Sequence, residues 1–240
     1  MQTGITSYLI REFLKSSKPI PFILFFNECE KYLYKMIDLN VIKLNKRFGS
    51  KPVLTDVSFS SSSTVLGISG SNGSGKSTLL KCISGLMKPS SGEVRWVKNG
   101  SGLSKRSLKN HIGYAAPYIQ YYEELSVMEN LQFLMDLNDQ KDLHPPHLLL
   151  KRFGIGPLSE NLYGELSTGQ QQRVKLAGAL IHQPEILILD EPGSNLDKKG
   201  RFAVEELIIA EREQNHFIIL ASNQSYELDL CDKTIHLTSQ

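Results

Sequence analysis

Two kinds of hydrophobic pattern divide the chain. From Ile37 to Leu44, and again from Val53 to Phe59, apolar and polar residues alternate, the period of antiparallel strands buried on one face. Ser91–Val97 alternates in the same way and closes on Asn99-Gly100, a hairpin signal, with Trp96 expected to pack in the sheet. Elsewhere the apolar runs are short and nearly unbroken: Val65–Ile68, Ile112–Ala116, Ile186–Leu189 and His216–Ala221, with a last strand read at Lys233–Leu237. Runs of that kind suit strands covered on both faces. Helical segments fall between them. Leu79–Ile83 is one; Asn130–Leu137 follows a capping box of Ser126 and Glu129; Pro145-Pro146 opens another, through Leu150, that Gly154 ends. A second capping box, Ser167 with Gln170, opens Gln171–Ile181, and Lys198–Gln214 completes the set. Strands alternating with helices predict an α/β core sheet, preceded by an antiparallel β part and interrupted at about 121–183 by a mostly helical lobe.

Residues 1–35 do not share this pattern. Ile20–Phe26 is apolar but short, interrupted by Pro21, and no small-residue cleavage site follows it, so a signal peptide fits poorly. The expectation is an extension, with Met36 a natural initiator and 36–240 the working domain. A net charge of +2 supplies no basic stripe for nucleic acid. Three cysteines, Cys29, Cys82 and Cys231, stand far apart and suit a reducing compartment better than a disulfide framework. No apolar run reaches the length of a bilayer span, so any membrane passage is expected in another chain.

Chemistry enters at Gly70-Ser-Asn-Gly-Ser-Gly-Lys-Ser-Thr78, a Gly-x-x-x-x-Gly-Lys-Ser loop between a strand and a helix. Gly70, Gly73 and Gly75 allow turns that a Cβ forbids, so the N–H groups of Ser71, Asn72, Ser74 and their neighbours can converge on one anion. The following helix adds its unpaired N–H groups. Lys76 is then placed for the β- and γ-phosphates, Ser77 for Mg²⁺ and Thr78 for the α-phosphate side of a nucleoside triphosphate. The run Ile186–Leu189 ends in Asp190-Glu191, carboxylates at the mouth of a buried strand. Asp190 is expected to hold Mg²⁺ through water, and Glu191 to polarise an attacking water. Phe48, in the turn after the first strand, suits either the core or stacking on a base.

Leu166-Ser-Thr-Gly-Gln170, Ile186–Pro192 and Ser194-Asn-Leu-Asp197, in this order after the phosphate loop, resemble the nucleotide-binding domains of ABC ATPases over about residues 37–237. The resemblance implies a P-loop NTPase of ABC type: a RecA-like core, an antiparallel β subdomain and an inserted α-helical subdomain. It implies ATP and Mg²⁺ as cofactors, Phe48 stacked on adenine, and Gly70–Thr78 as the Walker A loop. Ser167, Thr168, Gly169 and Gln170 match the signature motif, Asp190 the Walker B aspartate, Glu191 the catalytic glutamate and Ser194–Asp197 the D-loop. In the family the signature of one protomer closes over the γ-phosphate held by another, so a homodimer or heterodimer of such domains is implied. So is a separate permease, with this chain cytoplasmic and peripheral on the membrane's inner face.

Its compact size is most similar to small exporter-type subunits such as the haem exporter of cytochrome c biogenesis. A soluble relative, such as an iron–sulfur assembly ATPase, and a degenerate domain with weak hydrolysis are the alternatives. Two positions depart from the family pattern. Ala116 or Pro117 stands where a metal-contacting Gln belongs, with Gln120 expected to take that role from further along the loop. Asn223 replaces a His that grips the γ-phosphate, which implies slower hydrolysis.

Overall fold

A computed structural model describes residues 37–137 and 143–238; the expectation for residues 1–35 lies outside them. The alternating segments form β1 (Ile37–Phe48), β2 (Lys51–Ser61), β4 (Ser91–Lys98) and the short β5 (Ser101–Gly102), an antiparallel sheet in the order β2-β1-β4-β5. Asn99 and Gly100 both take positive φ at the β4–β5 turn, as a tight hairpin requires. The unbroken runs form β3 (Val65–Ser69), β6 (Ile112–Ala115), β7 (Ile186–Asp190) and β8 (Phe217–Ala221), and with the more polar and exposed edge strand β9 (Lys233–His236) they make a parallel sheet in the order β6-β7-β8-β3-β9.

Every residue of β3, β7 and β8 is buried, as their composition demands, and the two faces meet different partners. Leu66, Ile68, Ile186, Ile188 and Ile219 pack with α1 (Lys76–Ile83) and with Leu39, Val41, Leu44 and Trp96 of the antiparallel sheet. Val65, Leu187, Leu189, Ile218 and Leu220 pack on the other side with helical residues such as Val174, Leu176, Val204 and Leu207. At roughly 1.5–3 kcal/mol for each fully buried aliphatic side chain, these two interfaces dominate the stability of the fold. Trp96 is a seam residue, as expected: its Nε1–H donates to the Ile83 carbonyl at 2.9 Å and its ring meets Phe217 edge-on at 5.4 Å.

After the four-residue helix α2 (Lys105–Leu108) and β6, the described chain is helical up to β7. It contains α3 (Val127–Asp136), α4 (Pro146–Arg152), two single-turn segments and α5 (Thr168–Ala179). Both capping boxes form as read, at Ser126/Glu129 and Ser167/Gln170. α6 (Lys198–Glu213) leads into β8, and the short α7 (Ser225–Leu228) into β9.

Parallel pairing fixes what stands side by side at the carboxyl edge. Ala115 pairs with Leu189, Asp190 with Ala221, and Ala221 with Ile68. The loops after β6, β7, β8 and β3 therefore open in that order along one edge, where ligands of open α/β sheets bind.

Candidate functional site

The phosphate loop is built around its own lysine. Lys76, 5% exposed, donates from Nζ to the Gly70 carbonyl at 2.8 Å, and its ammonium also lies 3.4 Å from the Ser71 carbonyl oxygen. It donates as well to Oδ1 of Asn223 at 2.9 Å, and Glu191 Oε1 lies 3.8 Å away. Gly70 has φ +149°, and a Cβ there would stand 2.5 Å from the Leu237 carbonyl oxygen. Gly75, at φ +99°, is the residue that starts α1, with no side chain capping the helix. The N–H groups at the start of α1 therefore face the loop without a side-chain acceptor, the arrangement that attracts an anion. Ser71, Asn72 and Gly73 are exposed, Ser77 and Thr78 half-buried, and the Ser74 hydroxyl is buried without a partner.

One strand over, Asp190 is 1% exposed, and neither carboxylate oxygen makes a well-formed hydrogen bond. Burial raises its pKa, and the Ser77 hydroxyl facing it pulls the other way, as do Lys76 and Lys81; Glu191 adds to the rise. An unpartnered buried carboxylate costs free energy unless something positive sits against it. Glu191 follows at φ +48°, a left-handed conformation costly for a residue with a Cβ. Its N–H is held by the Ala221 carbonyl at 2.8 Å, and its side chain reaches toward Lys76. Asn223 bridges the next two loops, since its amide also donates to Oδ1 of Asn72 at 2.7 Å.

Gln120, expected at the metal, is exposed and forms no hydrogen bond among the described residues. β6 ends at Ala115, and the turn that follows, in which Ile119 N–H donates to the Ala116 carbonyl, brings Tyr118 toward Asp190 instead. The Tyr118 hydroxyl touches that of Tyr114, and Lys81 lies 3.6 Å from the centre of its ring. Burial, and then the nearby Asp190 charge, hold Tyr118 well above the usual phenol range, so it remains a donor. The sequence reading passed over Tyr118, Tyr114 and Lys81 as site residues, and named Asn72 for its backbone N–H rather than its side chain. The spacing of Lys81, one helical turn after Ser77, was the available signal.

The signature residues lie at the start of α5. Ser167 Oγ accepts from Gln170 N–H at 3.3 Å and Gln170 Oε1 accepts from Ser167 N–H at 2.8 Å, so this helix start satisfies part of itself. A Cβ on Gly169 would stand 2.9 Å from the Asn195 carbonyl oxygen, which places the signature directly against the Ser194–Asp197 loop. Arg173 donates to Asp197 at 2.5 Å and Gln172 to the Pro192 carbonyl at 3.2 Å, so α5 is strapped to the chain that follows Glu191. Glu227, buried, accepts from Gly193 N–H at 2.8 Å and from the Ser222 hydroxyl, tying the loops after β7 and β8 together. Phe48 is 51% exposed at the end of β1, with Lys46 5.2 Å from its ring centre, so it is a surface aromatic rather than a core one.

The family model described as ABC transporter matches residues 54–194. An Fe(3+) ions import ATP-binding protein of Haemophilus influenzae is 34% identical, over 81% of this chain and 58% of its own length. The chain thus spans little more than half of that relative. An ergothioneine transport ATP-binding protein of Helicobacter pylori is 35% identical over 70% of this chain and 81% of that protein. A lipoprotein-releasing system ATP-binding protein of Rickettsia bellii is 30% identical over 85% and 95%. Among solved structures, an ATP binding subunit of an ABC transporter superposes with a TM-score of 0.71 at 26% identity, covering 83% of this chain and 85% of that one. A match across most of the phosphate loop to D-loop span, with relatives this similar over most of their own length, makes the chain a member of the ABC transporter family, among its ATP-binding subunits.

Proposed function

We propose that the chain hydrolyses ATP to drive a separate membrane permease, working as a pair of such domains that close around the nucleotide. One observation carries this reading. Along a single carboxyl edge, the Gly70–Thr78 cradle, the Asp190-Glu191 pair and Asn223 converge on Lys76.

The roles follow from the contacts. The cradle N–H groups and Lys76 hold the β- and γ-phosphates, with Lys76 exchanging its bonds to the Gly70 carbonyl and Asn223 for phosphate oxygens. Glu191 accepts the proton of the attacking water. Exposed Phe48 stacks on the base. Mg²⁺ fits the residues present, because Asp190 offers a buried carboxylate with unfilled oxygens beside the Ser77 hydroxyl. When bound it offsets the charge that builds between the β- and γ-phosphates. Ser167 and Gly169 contribute to a nucleotide held by the other protomer.

No helix among the described residues is long and apolar enough to cross a membrane, which fits a chain that sits on the cytoplasmic face against its permease. The relatives carry names for iron, ergothioneine and lipoprotein systems, so the cassette itself does not fix the cargo.

Glu191→Gln tests the reading. With ATP and Mg²⁺ it should elute as a dimer in size-exclusion chromatography while phosphate release falls about 100-fold or more. A variant that hydrolyses ATP at the unaltered rate would remove Glu191 from the mechanism.

A further inference from the structure

Glu191 holds a conformation that its own sequence does not favour. It sits at φ +48°, where a side chain with a Cβ is strained, and it precedes Pro192, a place where the chain is normally extended. Strain of this kind persists only where the surroundings over-determine it. On the upstream side the restraint is the Glu191 N–H itself, which donates to the Ala221 carbonyl at 2.8 Å. On the downstream side Pro192 has no N–H, so the first backbone donor after Glu191 belongs to Gly193. That buried N–H donates to Oε1 of Glu227 at 2.8 Å.

Glu227, on α7, is 1% exposed, and both of its oxygens are engaged. Oε2 accepts from the Ser222 hydroxyl, whose oxygen in turn accepts from Gln224 N–H at 2.9 Å. Ser222 is itself pinned to the core, since its N–H donates to the Ile68 carbonyl of β3 at 3.1 Å. The junction is tightly packed: a Cβ on Gly193 would overlap Glu227 Oε1 and stand 2.8 Å from the Tyr226 hydroxyl oxygen. Arg201 closes the far end of the same turn. Its Nε donates to the Leu196 carbonyl at 3.3 Å, and its guanidinium lies 5.4 Å from the centre of the Tyr226 ring. We propose that Glu227 is a positioning residue for hydrolysis, its buried carboxylate holding Glu191 in the left-handed conformation through the N–H of Gly193. The hold runs from β3 through Ser222 and Glu227 to the turn that carries Glu191, so the placement of the base is set by the core sheet. This rests on the nucleotide-hydrolysing reading above.

The test compares turnover with binding in the unaltered chain and in Glu191→Gln, with single-turnover hydrolysis of radiolabelled ATP for the slow variants. Glu227→Ala leaves the Gly193 N–H without its acceptor. In the unaltered background kcat should fall about 10- to 100-fold, the cost of displacing a reacting group by about 1 Å. KM should change little, because the cradle and Lys76 stand on β3 and α1. Glu227→Gln, which keeps an oxygen for the Gly193 N–H, should recover most of the loss. Gly193→Ala forces the same junction apart from the other side and should lower kcat likewise, which carries the test if Glu227→Ala does not fold. Neither Glu227→Ala nor Gly193→Ala should cost anything further in Glu191→Gln, where no base is left to place, whereas a general loosening of the fold would cost the same in both backgrounds. Equal fold-losses in the two backgrounds, or full kcat in Glu227→Ala, overturn the positioning role alone. Hydrolysis by Glu191→Gln at the unaltered rate overturns it together with the role of Glu191 on which it rests.

Discussion

Two helix starts in this chain are anion sites by sequence, and they are finished differently. α1 begins at a glycine with no side chain over its N–H groups, and Lys76 waits beside them on bonds to carbonyls and an amide that a phosphate can replace. α5 begins at Ser167, whose hydroxyl and backbone are already engaged with Gln170. The first site is complete within one chain. The second is held shut by its own capping box, is exposed, and lies against the Asn195 backbone. On the function proposed above, the difference is a division of labour: one site captures nucleotide alone, while the other must be drawn open by a phosphate that a second protomer supplies.

The comparison breaks most easily at Lys76. Lys76→Ala removes the buried ammonium of the preformed site and should weaken ATP binding by about 100-fold, as for loss of one partner from a buried charge-assisted contact. Isothermal titration would measure it, and a loss below threefold would mean that the cradle binds through its backbone alone. Next in size is Gly70→Ala. With φ at +149° and a Cβ forced against the Leu237 carbonyl, it should destabilise the fold by about 1–3 kcal/mol in urea unfolding.

Asp190→Asn sharpens the contrast with a change of sign. Because burial raises the Asp190 pKa, its charge destabilises the metal-free fold above the folded pKa. That penalty disappears as pH falls through the folded pKa. Asp190→Asn should therefore melt a few degrees higher than the unaltered protein at pH 7 without metal, and the gap should close on acidification. Added Mg²⁺ and ADP should stabilise the unaltered protein and leave the variant behind.

Ser167→Ala removes the cap of α5 and should cost about 1 kcal/mol in unfolding. Single-chain ATP affinity should be unaffected, while ATP-dependent dimerisation fails. Equal loss of both would merge the two sites into one. The smallest effect is expected at Asn223, which lies between them in the chain's logic. Asn223→His should raise turnover by a few-fold, through a contact to phosphate that can carry charge. Unchanged or lower turnover would mean that the Asn72–Asn223–Lys76 bridge is worth more than that charge.

Most of the fold was legible because its signals are local. The period of Ile37–Leu44, the unbroken Ile186–Leu189 and the boxes at Ser126 and Ser167 each state their element within a few residues, and the structure forms all of them. The cradle was legible for the same reason. What did not read out was the approach of side chains from separate strands. Tyr118 comes near Asp190 only because parallel pairing sets Ala115 beside Leu189, and no spacing along the chain encodes that register. Gln120 was chosen for its amide, but a tight turn after Ala116 decides which residue arrives. Asn223 was legible as a position; its bridge to Asn72 was not, since it joins the ends of β3 and β8 across a gap of 151 residues.

The lone indole of the chain gives a practical handle. Trp96 is wedged where the two sheets and the first helix meet, bonded to one and edge-on to another, and is nearly shut off from water. Its emission should be blue-shifted in the native protein and should move red only when that junction parts. Intrinsic fluorescence of this chain is thus a gauge of whether its halves remain joined, read without any label.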